Sequence, residues 1–134
     1  MDIEKIVSYW MEASDENYLS MKNIVSKNEN HWALFIGHLC IEKLLKAVYV
    51  HRNNESSVPF SHNLPRLAEL AQLVMDNEMF EKLAMITSFN IGARYPDYEN
   101  RFTKLCTDDF TAMQVKVIEE VRAWLKQQIP ESLS

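Results

Sequence analysis

Apolar residues return every three or four positions along most of this chain, the period of an amphipathic helix. Ile3, Ile6, Val7, Trp10, Met11, Tyr18, Met21 and Val25, with Ser14 among them, share one face and predict a first helix over residues 2–27. Residues 28–30 break the pattern and offer caps for the next element. Residues 31–52, HWALFIGHLCIEKLLKAVYVHR, are apolar almost all round, which predicts a second helix packed by neighbours on several sides. The Asn-, Ser- and Pro-rich run 53–63 reads as the main loop.

Pro65 suits the first turn of a third helix, expected to run through Leu67, Leu70, Ala71 and Val74 and to end near residues 76–77. A fourth, about 78–91, carries Phe80, Leu83, Ala84, Thr87 and Ile91 on one face. Thr107 is a good N-cap, and Asp108 and Asp109 follow where the helix dipole favours negative charge. The last helix is expected to reach about Gln128 through Phe110, Met113, Val117, Val121, Trp124 and Leu125, and Pro130 stops it. Between the last two helices, NIGARYPDYENRF at 90–102 reads as a loop. The sum is an all-α, antiparallel four-helix bundle with an additional short helix, in a single domain over residues 1–134.

Two glycines and four prolines are too few for the many turns of a sandwich or barrel, so composition points the same way. A formal charge of −5 argues against a general grip on DNA or RNA, which rests on neutralising phosphates. It leaves room for a local basic site. Cys40 and Cys106 form no CxxC pair, and the N-terminus begins acidic rather than as an export signal, so reduced thiols and a cytoplasmic home are expected. The apolar stretches are interrupted well short of a membrane span. No P-loop, dinucleotide-binding glycine motif, zinc-finger spacing or Ser-His-Asp signature is present. No cofactor is expected.

Within the second helix the polar exceptions His31, His38, Glu42 and Lys46 lie at steps of seven, four and four, one narrow seam. Glu42 precedes Lys46 in the favourable order for an i,i+4 ion pair. His31 and His38 are two turns apart, roughly 10 Å along the axis. That is too far to share one metal ion, and a polar seam bordering a cleft is the expectation.

Four segments in order resemble one family. Glu42, Lys43, Lys46 and Ala47 resemble the Glu-Lys-x-x-Lys-Ala core of the HEPN family's second helix. SHNL, with His62, is similar to that family's histidine after a short loop, and Arg94, Tyr95, Pro96 and Asp97 match its Arg-Tyr-Pro-Asp segment before the last helix. The opening YWMEASDENYLSMKNIV is similar to its first helix. The resemblance implies a HEPN-type helical bundle that dimerises, with a functional cleft near the dimer interface. It also implies, as partner or ligand, a minimal nucleotidyltransferase, a nucleotide or RNA.

Ribonuclease members of the family carry an arginine followed by a histidine after four to six residues, a cation for the phosphate and a group for proton transfer. Here none of Arg52, Arg66, Arg94, Arg101 and Arg122 is followed by a histidine at that spacing. After Arg94 an amide, Asn100, stands in the window, and an amide cannot shuttle a proton near neutral pH. The expectation is therefore a binding module without catalysis of its own, its ligand-binding candidates being Arg94, Tyr95, Asp97, Asn100, Arg101, His38, Glu42, Lys43, Lys46 and His62. The alternative is a divergent, metal-independent ribonuclease toxin of a toxin–antitoxin pair, in which His38 or His62 supplies the missing group. For each candidate a plainer role stands beside the functional one. Arg94 pairs with an acid to pin the loop, Lys43 and Lys46 organise the helix surface, and His62 anchors its loop.

Overall fold

The computed structural model describes residues 2–94 and 96–133; the side chains at 92–94, 96, 97, 99 and 133 lie outside the described part. Among the described residues six helices follow one another: α1 (Ile3–Val25), α2 (Asn30–Asn53), α3 (Leu64–Leu70), α4 (Asn77–Arg94), α5 (Pro96–Leu105) and α6 (Asp108–Lys126), before a short 3-10 turn at Glu131–Leu133. The all-α class expected from the periodicity holds, with four long helices and two short ones rather than one.

The centre is α2. Leu34, Ile41, Leu44, Leu45 and Val48 are fully buried on several sides of it, and α1, α4 and α6 all pack against it. Gly37 is what lets two of those neighbours come close: a Cβ there would sit 2.5 Å from Ile118 Cδ1 and 2.9 Å from Met21 Sδ. On α1 the face expected from the periodicity is the one buried, through Val7, Met11, Ser14 and Met21. The Ser14 hydroxyl donates to the Cys40 carbonyl at 2.7 Å, so this buried polar group is satisfied across the helix pair. Asp2 caps α1 by accepting from the Lys5 N–H, and Thr107 caps α6 by accepting from the Phe110 N–H.

Three sequence expectations are corrected. The third helix stops at Leu70, well before residues 76–77, and Val74 is 94% exposed. Gln72 takes a left-handed conformation at φ 63°, and the N–H groups of Gln72 and Leu73 close back on the carbonyls of Glu69 and Ala68. This is a Schellman ending without glycine. Its stabilisation is tertiary: the Gln72 amide donates to Asn53 Oδ1 at 2.8 Å, and Asn53 Nδ2 donates to the Leu70 carbonyl at 3.1 Å.

Of the stretch 90–102, read as a loop, residues 90–94 belong to α4 and residues 96–102 to α5. Pro96 opens α5 at a position where its fixed φ is helical, and Phe102 stacks on Phe89 of α4 at 5.7 Å. A single inward aromatic in a polar segment is too thin a pattern to register as a period. The third correction concerns the buried side of α6. It runs through Thr111, Gln114, Val115, Ile118, Val121 and Leu125, while Met113, expected inside, is 60% exposed.

Candidate functional site

A carboxylate at four-residue spacing from both a histidine and a lysine is an ordinary feature of a helix surface. In α2 it is buried. His38 is fully buried, Glu42 is 4% exposed, and the loop after α2 folds back to bring His62 onto the same carboxylate. His62 Nδ1 lies 2.6 Å from Glu42 Oε1, and Lys46 Nζ donates to Glu42 Oε2 at 3.1 Å. His38 Nε2 lies 3.2 Å from the His62 carbonyl oxygen, which can only accept, so that nitrogen carries the proton. His62 is thus held twice, by its ring and by its backbone, and the end of the loop is fastened to the middle of α2.

Burial by itself pushes the Glu42 carboxyl up. The hydrogen bond from His62 and the charge and hydrogen bond of Lys46 outweigh it, and the net position is below the usual carboxylate value. The ammonium of Lys46 also lies 5.3 Å from the centre of the Trp10 ring, a cation–π contact that ties α1 into the cluster. On the loop side, the Phe60 ring stands 5.9 Å from that of His62 and is 95% exposed. The α3 start is secured beside it by the Leu64 N–H, which donates to Thr87 Oγ1 of α4 at 3.1 Å.

Of the sequence candidates, the fold brings His38, Glu42, Lys46 and His62 together. Lys43, one position further round α2, makes none of these contacts. Asn100 and Arg101 are exposed on α5, where Arg101 lines a separate groove of about 260 Å³ with Ile91, Tyr98 and Leu105. Tyr95, and the side chains of Arg94 and Asp97, lie outside the described residues. His31, placed on the seam by its spacing, instead packs its ring near Trp32 at 5.3 Å. Among the described residues no group of three or more His, Cys, Asp or Glu side chains is arranged to hold a metal ion, and no helix is long and apolar enough to cross a membrane.

Trp10 and Phe60 were not legible as neighbours of this cluster. Trp10 reads as one more apolar position on α1, and nothing local marks a lysine 36 positions later as its partner. The closure of His62 on Glu42 depends on the path of the loop, which spacing does not specify.

The chain matches the family model of the HEPN domain over residues 7–128. No curated protein sequence matches it significantly. Its fold is similar to that of TT1696 from Thermus thermophilus, with a TM-score of 0.78 at 19% identity over 92% of this chain and 98% of that one. It is also similar to ST0689, an archaeal HEPN homologue, with a TM-score of 0.72 at 18% identity and the same coverage. A match over nearly the whole chain, on a helical bundle superposable on another HEPN homologue, settles the classification: this protein belongs to the HEPN domain family.

Proposed function

We propose that this protein is a non-catalytic HEPN binding module, a homodimer that takes a nucleotide or a minimal nucleotidyltransferase as its partner. The observation that carries this reading is the internal balance of the Glu42 cluster. Glu42 is shared by Lys46 and His62, and His38 donates to the His62 backbone. These groups hold a loop in place, and a lysine already paired with a buried carboxylate is a poor phosphate ligand. The missing arginine–histidine spacing agrees with it, and the net charge of −5 suits a protein partner better than bulk RNA.

One feature favours the second reading, a divergent metal-independent ribonuclease. A buried carboxylate bonded to Nδ1 fixes a histidine with its Nε2 as the free acceptor, an arrangement that suits a general base. His62 has that partner, its side chain is 35% exposed, and among the described residues its Nε2 has no hydrogen-bond partner.

The test is to incubate the purified protein with structured and single-stranded RNA and, separately, to titrate it with nucleotides and a nucleotidyltransferase of the minimal type. Saturable binding without cleavage is the expected result. Cleavage by the wild type that His62→Ala, Glu42→Gln and Arg94→Ala each abolish would overturn it in favour of the enzyme.

A further inference from the structure

α5 packs on α4 and, more lightly, on α2. Tyr98, Arg101 and Leu105 lie at i, i+3 and i+7, one face of that short helix, and that face stays largely in solvent. With Ser88 and Ile91 of α4 they line a groove of about 260 Å³. Its apolar walls are half-exposed, Ile91 at 44%, Tyr98 at 50% and Leu105 at 52%. Its floor is Phe102, buried and stacked on Phe89 at 5.7 Å, so the walls stand on a packed base.

The charge at this groove has one sign. Arg101 lines it, and Lys104 is exposed one position before Leu105. None of the lining residues is an acid, and residues 83–91, the part of α4 alongside, carry no charge. Among the described residues neither cation has an ion-pair or hydrogen-bond partner. In a chain of net charge −5 this is a local reversal of sign. The occupant it complements is apolar and acidic at once.

Size and shape narrow the class. A small ligand that filled the groove would leave the outer halves of Ile91, Tyr98 and Leu105 in water. From Tyr98 to Leu105 the rise along α5 is about 10 Å, two turns of helix, and a docked helix is wide enough to cover both walls. An amphipathic helix laid into such a groove presents apolar side chains at i, i+3 or i+4 and i+7. Ile91 and Leu105 are aliphatic, which suits leucine-like anchors better than the flat bases of RNA, and Tyr and Arg are the residue types that anchor protein interfaces.

We propose that the α4–α5 groove is the docking site for an acidic amphipathic helix of a partner protein, its apolar side chains between Ile91 and Leu105 and its carboxylates on Arg101 and Lys104. The inference rests on the protein-partner reading above and assigns that partner a surface and a chemistry.

Fluorescence anisotropy with two labelled helical peptides tests it. Both carry leucines at i, i+3 and i+7; one flanks them with glutamates, its twin with lysines. The proteins are wild type, Arg101→Glu and Leu105→Ser. Both positions are exposed, so both variants should keep the far-ultraviolet circular dichroism spectrum and melting temperature of the wild type. The wild type is expected to bind the glutamate peptide saturably, less tightly as salt rises, and the lysine twin at least about tenfold more weakly. Arg101→Glu is expected to reverse that order, and Leu105→Ser to weaken both by about tenfold through lost apolar burial. Equal binding of the two peptides by wild type, or no binding of either, would overturn the assignment. A minimal nucleotidyltransferase held equally by wild type and both variants would overturn it too, while leaving the binding-module reading standing. Saturable AMP binding lost in Arg101→Glu would give the groove to a nucleotide and also overturn the assignment.

Discussion

Glu42 is a buried acid on the largely apolar central helix, and its surroundings explain how it is tolerated there. A carboxylate taken from water costs several kcal/mol unless its oxygens are met, and here both are, by His62 and Lys46. Glu42→Gln should therefore cost about 2 kcal/mol in urea unfolding, the loss expected for hydrogen bonds to a charged group. The dependence on pH has a definite sign. His62 and Lys46 hold the folded-state pKa of Glu42 below its unfolded value. Its contribution is then full above the unfolded pKa of roughly 4.3 and fades as pH falls through the lower folded-state value. The stability gap between wild type and Glu42→Gln should be level above about pH 5 and shrink in more acid solution; a gap that widens with acid would refute the assignment. The cysteines answer a second question at this scale. Burial pushes the Cys106 thiol up to about 11 and raises that of Cys40 as well. Both should resist iodoacetamide in the native protein at neutral pH and label only as the chain unfolds, measured by mass spectrometry against urea.

At the scale of elements, the packing around α2 turns on one glycine and one asparagine. Gly37→Ala would gain about 1 kcal/mol of helix propensity. It would also press a methyl onto Ile118 and Met21, both fully buried, where overpacking costs about 1–3 kcal/mol. The expected net effect is destabilisation of about 1 kcal/mol, relieved when Ile118→Val removes the atom at 2.5 Å; a double-mutant cycle in thermal unfolding reads the coupling directly. Asn53 joins the end of α2 to the end of α3 through two hydrogen bonds, to the Leu70 carbonyl and from the Gln72 amide, beside a third to Tyr49 within α2. Asn53→Ala should cost about 2 kcal/mol and release the left-handed turn at Gln72. Hydrogen exchange would detect it as faster exchange at the N–H groups of Gln72 and Leu73, whose bonds close that turn. Unchanged protection there would mean that the turn holds itself.

For the whole molecule, charge and architecture together bear on function. A net charge of −5 gives this HEPN bundle little with which to track a nucleic acid backbone. Fluorescence anisotropy with random single-stranded RNA at physiological salt should give no saturable binding below about 100 μM, the scale of weak non-specific association. A micromolar affinity that falls steeply with salt would point instead to a local cationic site on α4 or α5.

Helix content and class were legible in this sequence, because a 3.6-residue period and a shortage of turn residues are local properties that survive without knowledge of the partner surfaces. The central role of α2 was legible for the same reason, since a helix apolar all round has to be covered. So was the family, through the order of its short motifs. The site was legible only along α2: His38, Glu42 and Lys46 share a face by arithmetic. That His62 closes on Glu42, that Lys46 rests on Trp10, and that α3 ends early on a glutamine held by Asn53 were decided by the tertiary structure. Each joins residues far apart in sequence across a loop or a helix pair. α5 escaped for the opposite reason: among its described side chains the buried one is Phe102, whose stack on Phe89 exists only once α4 is there to receive it. Local periodicity determines which residues need burial; the path of the connecting loops decides which of them meet.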